Sequence, residues 1–275
     1  MSLVRALREL RWRAAGHYSR QLPEQFTRPL HGLKALEIGG PSRVFTADGL
    51  LPIYPIASSV DCVQWAARTF WHTLDPAQGF QPDGVRRGEL YILDDLDLGP
   101  LPDDAYELVF CSHVLEHIAN PLRALRAWRR VTRPGGYLLV VAPHMSGTFD
   151  HRRPLTPLSH IIEDFERSVG EDDLTHLEEV IELHDHSLDA TSRDRAAWLQ
   201  RHKENVNSRV LHHHTFTTRS LLTLLDYNGL ELLACEVRYP HDIYVLGRWP
   251  EDNQPVDTSE FLAARHPSPF AVDRR

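Results

Sequence analysis

Ala35-Leu36-Glu37-Ile38-Gly39-Gly40-Pro41-Ser42 reads as a buried strand that stops at a glycine pair and enters a helix at a proline. Glycines at the end of such a strand let the backbone turn sharply and let a ligand approach where a Cβ would otherwise stand. Pro41 fits a first helical position, where its missing N–H costs nothing. Many nucleotide-binding folds share such a turn. The full G-x-G-x-x-G spacing and a P-loop lysine are both absent here.

Moving outward, short apolar runs alternate with helical segments, the mark of a parallel sheet covered on both faces. Strands are predicted over 34–38, 59–63, 90–93, 106–111 and 137–142. The fifth, 137–142, is a continuous apolar run that suits burial on both faces. The second leads into a predicted helix carrying Trp65, Phe70 and Trp71, and the third into the acidic turn Asp94-Asp95-Leu96-Asp97. After the fourth, the spacing of Val114, Leu115, Ile118, Leu122, Leu125 and Trp128 predicts a helix that stops before Arg133-Pro134-Gly135-Gly136. Residues 144–214 break this rhythm. They are polar, mostly helical in pattern, with an apolar face at Leu174, Leu177 and Ile181, and hold ten of the chain's seventeen histidines. A helix over 219–227 ends at Gly229, and two closing strands, 230–239 and 242–248, are spaced for an antiparallel hairpin at the sheet edge.

The expected architecture is α/β: a doubly wound, mostly parallel seven-stranded sheet with a reversed terminal strand and a helical insertion after strand five. Its parts are an N-terminal helical cap (1–30), the main domain (31–250, with 144–214 as an insertion at the acceptor site) and a tail (251–275). That tail is rich in Pro, Asp and Ser and is expected to be poorly ordered or draped on the surface.

The chain's 275 residues suffice for one large core. A net charge of −8 argues against a nucleic-acid backbone as partner. Cys62, Cys111 and Cys235 show neither paired nor metal-type spacing, which fits a reducing compartment. No apolar run reaches the ~18 residues of a membrane span. The Arg-rich, amphipathic N-terminus fits a capping helix better than a transit peptide or a membrane-surface helix. Cytoplasmic residence is the expectation.

Two carboxylate positions accompany the glycine turn. Asp61, in the second strand, lies where dinucleotide folds place a ribose-binding carboxylate, roughly 20 residues on. Asp94 and Asp95 follow strand three, where a carboxylate can accept from an adenine amino group. Then come Tyr106-Glu107-Leu108-Val109-Phe110-Cys111-Ser112-His113-Val114-Leu115-Glu116-His117-Ile118 and Val131-Thr132-Arg133-Pro134-Gly135-Gly136-Tyr137. With these, residues 36–143 resemble the core of class I S-adenosylmethionine-dependent methyltransferases of the type 11 group, and the terminal hairpin resembles their reversed seventh strand. The resemblance implies S-adenosyl-L-methionine as cofactor. It places Glu37, Gly39, Gly40 and Pro41 at the methionine end, Asp61 on the ribose, Asp94 and Asp95 around the adenine, and Ser112 and His113 facing cofactor and acceptor. The compact Gly39-Gly40-Pro41 departs from the more spread glycine motif of most relatives.

Methyl transfer from a sulfonium is an in-line displacement, so the protein positions the acceptor and removes its proton if it is a hydroxyl. Histidine suits that task. His144 and His151 are the first candidates, with Asp150 close by to orient a ring, and His113 the next. Spacings of three and four would also put His113, Glu116 and His117 on one helical face, as a divalent-metal site requires. The ubiquinone-pathway O-methyltransferases look similar here, with a Glu-x-x-Glu-His motif whose first Glu is His113 in this chain. Metal-free structural hydrogen bonds are the competing account. A further metal set among His212-His213-His214, Glu171-Asp172-Asp173, His176, His184, Asp185 and His186 competes with a solvated, charge-laced helix, which is preferred. The insertion's make-up points to O-methylation of a polar small molecule or of a sugar or glycan hydroxyl. The alternatives are an N-methyltransferase of a small metabolite, a non-catalytic S-adenosylmethionine-binding protein and, last, a nicotinamide oxidoreductase.

Overall fold

The computed structural model describes residues 21–94, 97–251 and 256–274. Seven strands form one sheet: β1 (Lys34–Ile38), β2 (Ser59–Gln64), β3 (Leu90–Ile92), β4 (Tyr106–Ser112), β5 (Thr132–Pro143), β6 (Glu231–Arg238) and β7 (Asp242–Arg248). Their order is β3-β2-β1-β4-β5-β7-β6. β1 to β5 run parallel, and β7 runs antiparallel between β5 and β6, with Leu139 opposite Leu246. The hairpin of the two last strands is present, with β6 on the outside and β7 inside the sheet. Strand order reverses direction at β1, which lies between β2 and β4. Open α/β sheets bind ligands at the carboxyl edge of such a switch point.

The two faces of the sheet are covered differently. One carries α-helices: α1 (Pro121–Val131) buries Leu122, Leu125 and Trp128, and a later helix (Thr218–Tyr227) buries Leu221, Leu222, Leu224 and Leu225. The other is covered by 3₁₀ turns and loops, through Phe26, Leu30, Phe45, Ile53, Tyr54 and Phe80. A single 3₁₀ turn, Arg43–Phe45, stands where a helix was expected after the glycine turn. The helix expected to carry Trp65, Phe70 and Trp71 is likewise absent. Thr69 Oγ1 accepts from the Trp71 and His72 amides, closing a tight turn, and Pro76, Gly79 and Gly84 interrupt the chain between that turn and β3. Phe70 and Trp71 therefore stand exposed instead of packing on the sheet.

α1 also begins later than its apolar spacing predicts. His113 adopts a left-handed φ of +54°, and Leu115–His117 is a 3₁₀ turn. The α-helix starts only at Pro121, where Asn120 Oδ1 caps the Arg123 amide at 3.1 Å.

The insertion contains α2 (Leu158–Glu166), α3 (Leu177–Leu183), α4 (Arg195–Lys203) and α5 (Asn205–Ser208), with its own small core of Val180, Trp198 and Leu211. Leu174 and Ile181, expected inside, are exposed. The return helix Thr218–Tyr227 is α6, and Ser259–Ala263 is α7. The expected N-terminal helical cap falls mostly on residues outside the described ones; within 21–30, two 3₁₀ turns bury Phe26 and Leu30. Residues 256–274 are docked on the domain: Phe270 is buried and Asp273 accepts from Thr218 Oγ1 at 2.6 Å. No helix among the described residues is long and apolar enough to cross a membrane.

Candidate active site

A cavity of about 590 Å³ opens at the carboxyl edge of the sheet, beside the switch point at β1. That volume suits a small-molecule ligand. Gly39, Pro41 and Ser42 form its floor after β1, Gln64 and Trp65 follow β2, and Ser112 and His113 follow β4. The insertion closes the far side with Thr148, Phe149, Asp189, Trp198, Arg201 and His212.

The glycine turn is held from below. Gly39 has φ +77°, and a Cβ there would meet Val114 Cγ2 at 2.5 Å. A Cβ at Gly40 would collide with the Glu37 carboxyl. The glycines are thus required by protein packing as well as by any ligand. Glu37 is fully buried and accepts from Tyr54 O–H at 2.8 Å, while Tyr54 Oη also accepts from the Ser42 amide. Burial pushes its carboxyl up to about 8 against the hydrogen bonds from Ser42 and Tyr54. Glu37 and Gly40 therefore brace the loop from beneath, and neither lines the cavity. Gln64 Nε2 donates to Gly40 O at 2.5 Å, tying the end of β2 to the same loop.

The expectation for Asp61 is revised. It lies three residues short of the end of β2, about 10 Å back along a strand. Its Oδ1 accepts from the Glu89 amide at 2.7 Å and its Oδ2 from Tyr106 O–H at 2.8 Å. Both oxygens are engaged, and the residue does not line the cavity. Asp61→Asn is accordingly expected to leave S-adenosylhomocysteine affinity unchanged while lowering stability by roughly 1–3 kcal/mol. Calorimetric titration and urea unfolding check the two halves; weakened binding with intact stability would restore the ribose role. Asp94 lies outside the cavity wall, its carboxylate 3.9 Å from Arg209, which does line it. Asp95 is outside the described residues.

The expected proton acceptors separate. His144 is completely buried: Nδ1 accepts from the Ser146 amide, Nε2 lies 3.2 Å from Asp273, and the ring stacks on Phe270 at 4.0 Å. It anchors the tail and does not face the cavity. His151 pairs with Asp185 at 2.9 Å on the surface of the insertion, also off the wall. Of the three expected acceptors, His113 alone is on it. Burial disfavours its charged form, but the hydrogen bond to Asp242 (2.9 Å) and the charges of Glu116 and Asp242 outweigh this and hold it up at about 9. A ring already protonated near neutral pH is a poor proton acceptor.

A different histidine is paired with a carboxylate on the cavity wall. His212 lines the cavity, and its Nδ1 lies 2.6 Å from Asp150 Oδ2. Asp150 is in turn fixed by Arg153, whose Nη1 donates to Asp150 Oδ1 at 3.1 Å and to His212 O at 2.9 Å. Burial opposes ionisation of Asp150, but His212 and Arg153 outweigh it and hold the carboxyl down at about 2. Asp150 is thus an orienting carboxylate, as its place beside a histidine suggested. Its partner is not that neighbour but a ring 62 residues away.

The expected metal triple also divides. The left-handed turn at His113 and the 3₁₀ turn after it remove the helical face that would align it with Glu116 and His117. Among the described residues, ligating atoms come together instead as Glu116–His117–His212 and as His113–His241–Asp242, each set within 4.8 Å. Neither buried oxygen of Glu116 has a hydrogen-bond partner, and His113 Nδ1 is 3.6 Å away. Burial raises the Glu116 carboxyl and pushes His117 well down. The solvated, charge-laced reading of the histidine-rich stretch holds around α3, where Asp172, Glu178 and Glu182 are exposed, but not for His184, His212, His213 and His214, which are buried.

Residues 73–140, from the loop before β3 into β5, match the family model described as "Methyltransferase domain". The match begins beyond the glycine turn and β2. No curated protein sequence matches the chain. Its fold is similar to that of an S-adenosylmethionine-dependent methyltransferase from Methanosarcina mazei (14% identity over 84% of this chain and 99% of that one, TM-score 0.48). It is also similar to the N-methyltransferase NodS from Bradyrhizobium japonicum (14%, 87% and 97%, TM-score 0.45). A third is the 1,6-didemethyltoxoflavin-N1-methyltransferase of Burkholderia thailandensis, solved with 1,6-didemethyltoxoflavin and S-adenosylhomocysteine (11%, 82% and 75%, TM-score 0.47).

A parallel sheet with β7 inserted in reverse between β5 and β6, and a nucleoside-sized crevice at its switch point, define the class I methyltransferase fold. Residues 73–140 of the chain match a methyltransferase domain lying within this fold. The cavity fits S-adenosylmethionine: its floor is backbone at a glycine turn, and its walls offer aromatic faces at Trp65 and Trp71.

Proposed function

We propose that the enzyme transfers a methyl group to a hydroxyl of a polar small molecule or sugar, with His212 as the proton acceptor. The observation that carries this reading is the 2.6 Å contact between His212 Nδ1 and Asp150 at the cavity wall. The carboxylate takes the Nδ1 proton as its hydrogen-bond partner, which leaves Nε2 as the basic nitrogen and stabilises the imidazolium formed when the acceptor is deprotonated. S-adenosylmethionine supplies an electrophilic methyl group on its sulfonium. The Gly39–Pro41 backbone and Ser112 would hold its methionine portion. Gln64, at the end of β2 where Asp61 does not reach, would face the ribose. Phe149 and Trp198 give the acceptor side apolar faces beside the hydrogen-bonding groups of Thr148, Asp189, Thr191 and Arg201. That mixture suits a polyhydroxylated acceptor with one apolar face.

A second reading is favoured by the two unpartnered oxygens of Glu116: a divalent cation held by Glu116, His117 and His212. Such an ion would lower the pKa of an acceptor hydroxyl. Full turnover by metal-stripped protein in chelator would eliminate this reading.

The function is tested by incubating the protein with isotope-labelled cofactor and panels of sugars, hydroxy acids and amines, then locating the label by mass spectrometry. Label on oxygen is expected. Label confined to amines would replace the proposal with N-methylation, for which a base at His212 is dispensable.

A further inference from the structure

Three histidines that do not line the cavity face one another inside the insertion. His160 lies on α2, His176 immediately precedes α3, and His214 lies on the segment returning to α6. One ligating atom from each is within 4.8 Å of the other two. The Nε2 atoms of His160 and His176 are 3.0 Å apart. Asp164, one helical turn beyond His160, places Oδ2 3.4 Å from His160 Nε2 and 3.9 Å from His214 Nε2.

Hydrogen bonding within the protein leaves this cluster incomplete. An N–H···N bond can satisfy the facing nitrogens of His160 and His176, and His214 Nε2 can donate to Ala119 O at 3.3 Å. His214 Nδ1 then remains, in a ring that is 1% exposed, with no hydrogen-bond partner. The spacing suggests what completes it. Nitrogen ligands at 2.0–2.1 Å from a tetrahedral zinc ion are about 3.3 Å from each other, close to the 3.0 Å between His160 and His176.

We propose that His160, His176 and His214 bind one divalent transition-metal ion, of the zinc class by their all-imidazole donor set, with Asp164 at its flank. Imidazole nitrogens select zinc, copper and nickel over magnesium or calcium. The ion ties α2, the start of α3 and the returning segment together. Because His212 is two residues from His214, it also fixes the strand of chain that carries the cavity histidine. This inference is independent of the proton-acceptor role of His212.

The test uses the full-length protein, stripped of metal and titrated with cobalt(II) and with zinc. The expected result is a tetrahedral cobalt band, displaced by zinc, together with a zinc-dependent rise in Tm. Both are expected to disappear in H160A and H176A and to persist in E116Q, which alters only the cavity cluster. H176Q, a size-matched change at a half-buried position, serves where alanine impairs folding. No metal uptake by the wild-type protein would overturn the proposal. A band lost in E116Q but retained in H160A and H176Q would also overturn it, by assigning the metal to the cavity.

Discussion

His212→Asn is expected to lower kcat by roughly 10²–10⁴-fold, the range for loss of a positioned general base, with S-adenosylhomocysteine affinity unchanged. Asparagine retains a polar group toward Asp150 but cannot accept a proton from the substrate. His212 is carried by the insertion and the glycine turn by the end of β1, so cofactor binding is a separable readout. Asp150→Asn should reduce kcat as well, since an amide no longer stabilises the imidazolium, and should also disturb Arg153, which donates to the same carboxylate. Steady-state kinetics on the acceptor found by labelling, alongside calorimetry of S-adenosylhomocysteine, separates these effects. An H212N enzyme with undiminished kcat would remove His212 from the chemistry.

The second large effect concerns stability and pH. Glu37 is completely buried beneath the glycine turn, and its carboxyl is raised from an ordinary value of 4.5 to about 8. In the folded protein it is neutral below that value, whereas in the unfolded chain it ionises above 4.5. Its contribution is therefore fully present below pH 4.5 and is lost as pH rises toward 8. Each pH unit in that window costs about 1.4 kcal/mol, on the order of 5 kcal/mol across it. Asp150 works in the opposite sense at lower pH: held down at about 2, it adds stability above pH 4 that is lost as pH falls toward 2. The buried histidines held below their ordinary range add stability as pH rises and act equally in both proteins. In urea unfolding from pH 5 to 8 the wild-type midpoint is therefore expected to change less favourably with rising pH than that of Glu37→Gln. Gln keeps an acceptor for Tyr54 O–H and cannot ionise. The slope is the readout, because the amide's added N–H also changes absolute stability. An unchanged slope in Glu37→Gln would show that the carboxyl titrates normally.

The glycine turn illustrates how local signals can be right about place and wrong about cause. Gly39 does sit at the switch point, on the cavity floor. Yet the Cβ clashes that require glycine at 39 and 40 are with Val114 and Glu37, contacts that spacing along the chain does not display. Asp61 failed similarly. Its distance from the turn suited a ribose carboxylate, but β2 runs three residues further and Tyr106, from β4, occupies one of its oxygens.

The residues alone determined the sheet. Predominantly apolar runs at β1, β2, β4 and β5 mark strands covered on both faces, and the closing hairpin follows from two strands too close for any crossover. Burial pattern is a local property of a strand, so it is legible in one dimension. Tertiary structure alone decided which polar side chains meet. Asp150 reached His212 rather than His151, His144 turned to Asp273 and Phe270, and His160, His176 and His214 converged from three separate segments. A hydrogen bond or a ligand set depends on ångström-scale approach between distant parts of the chain, and the packing of the insertion, which no sequence periodicity encodes, sets that approach.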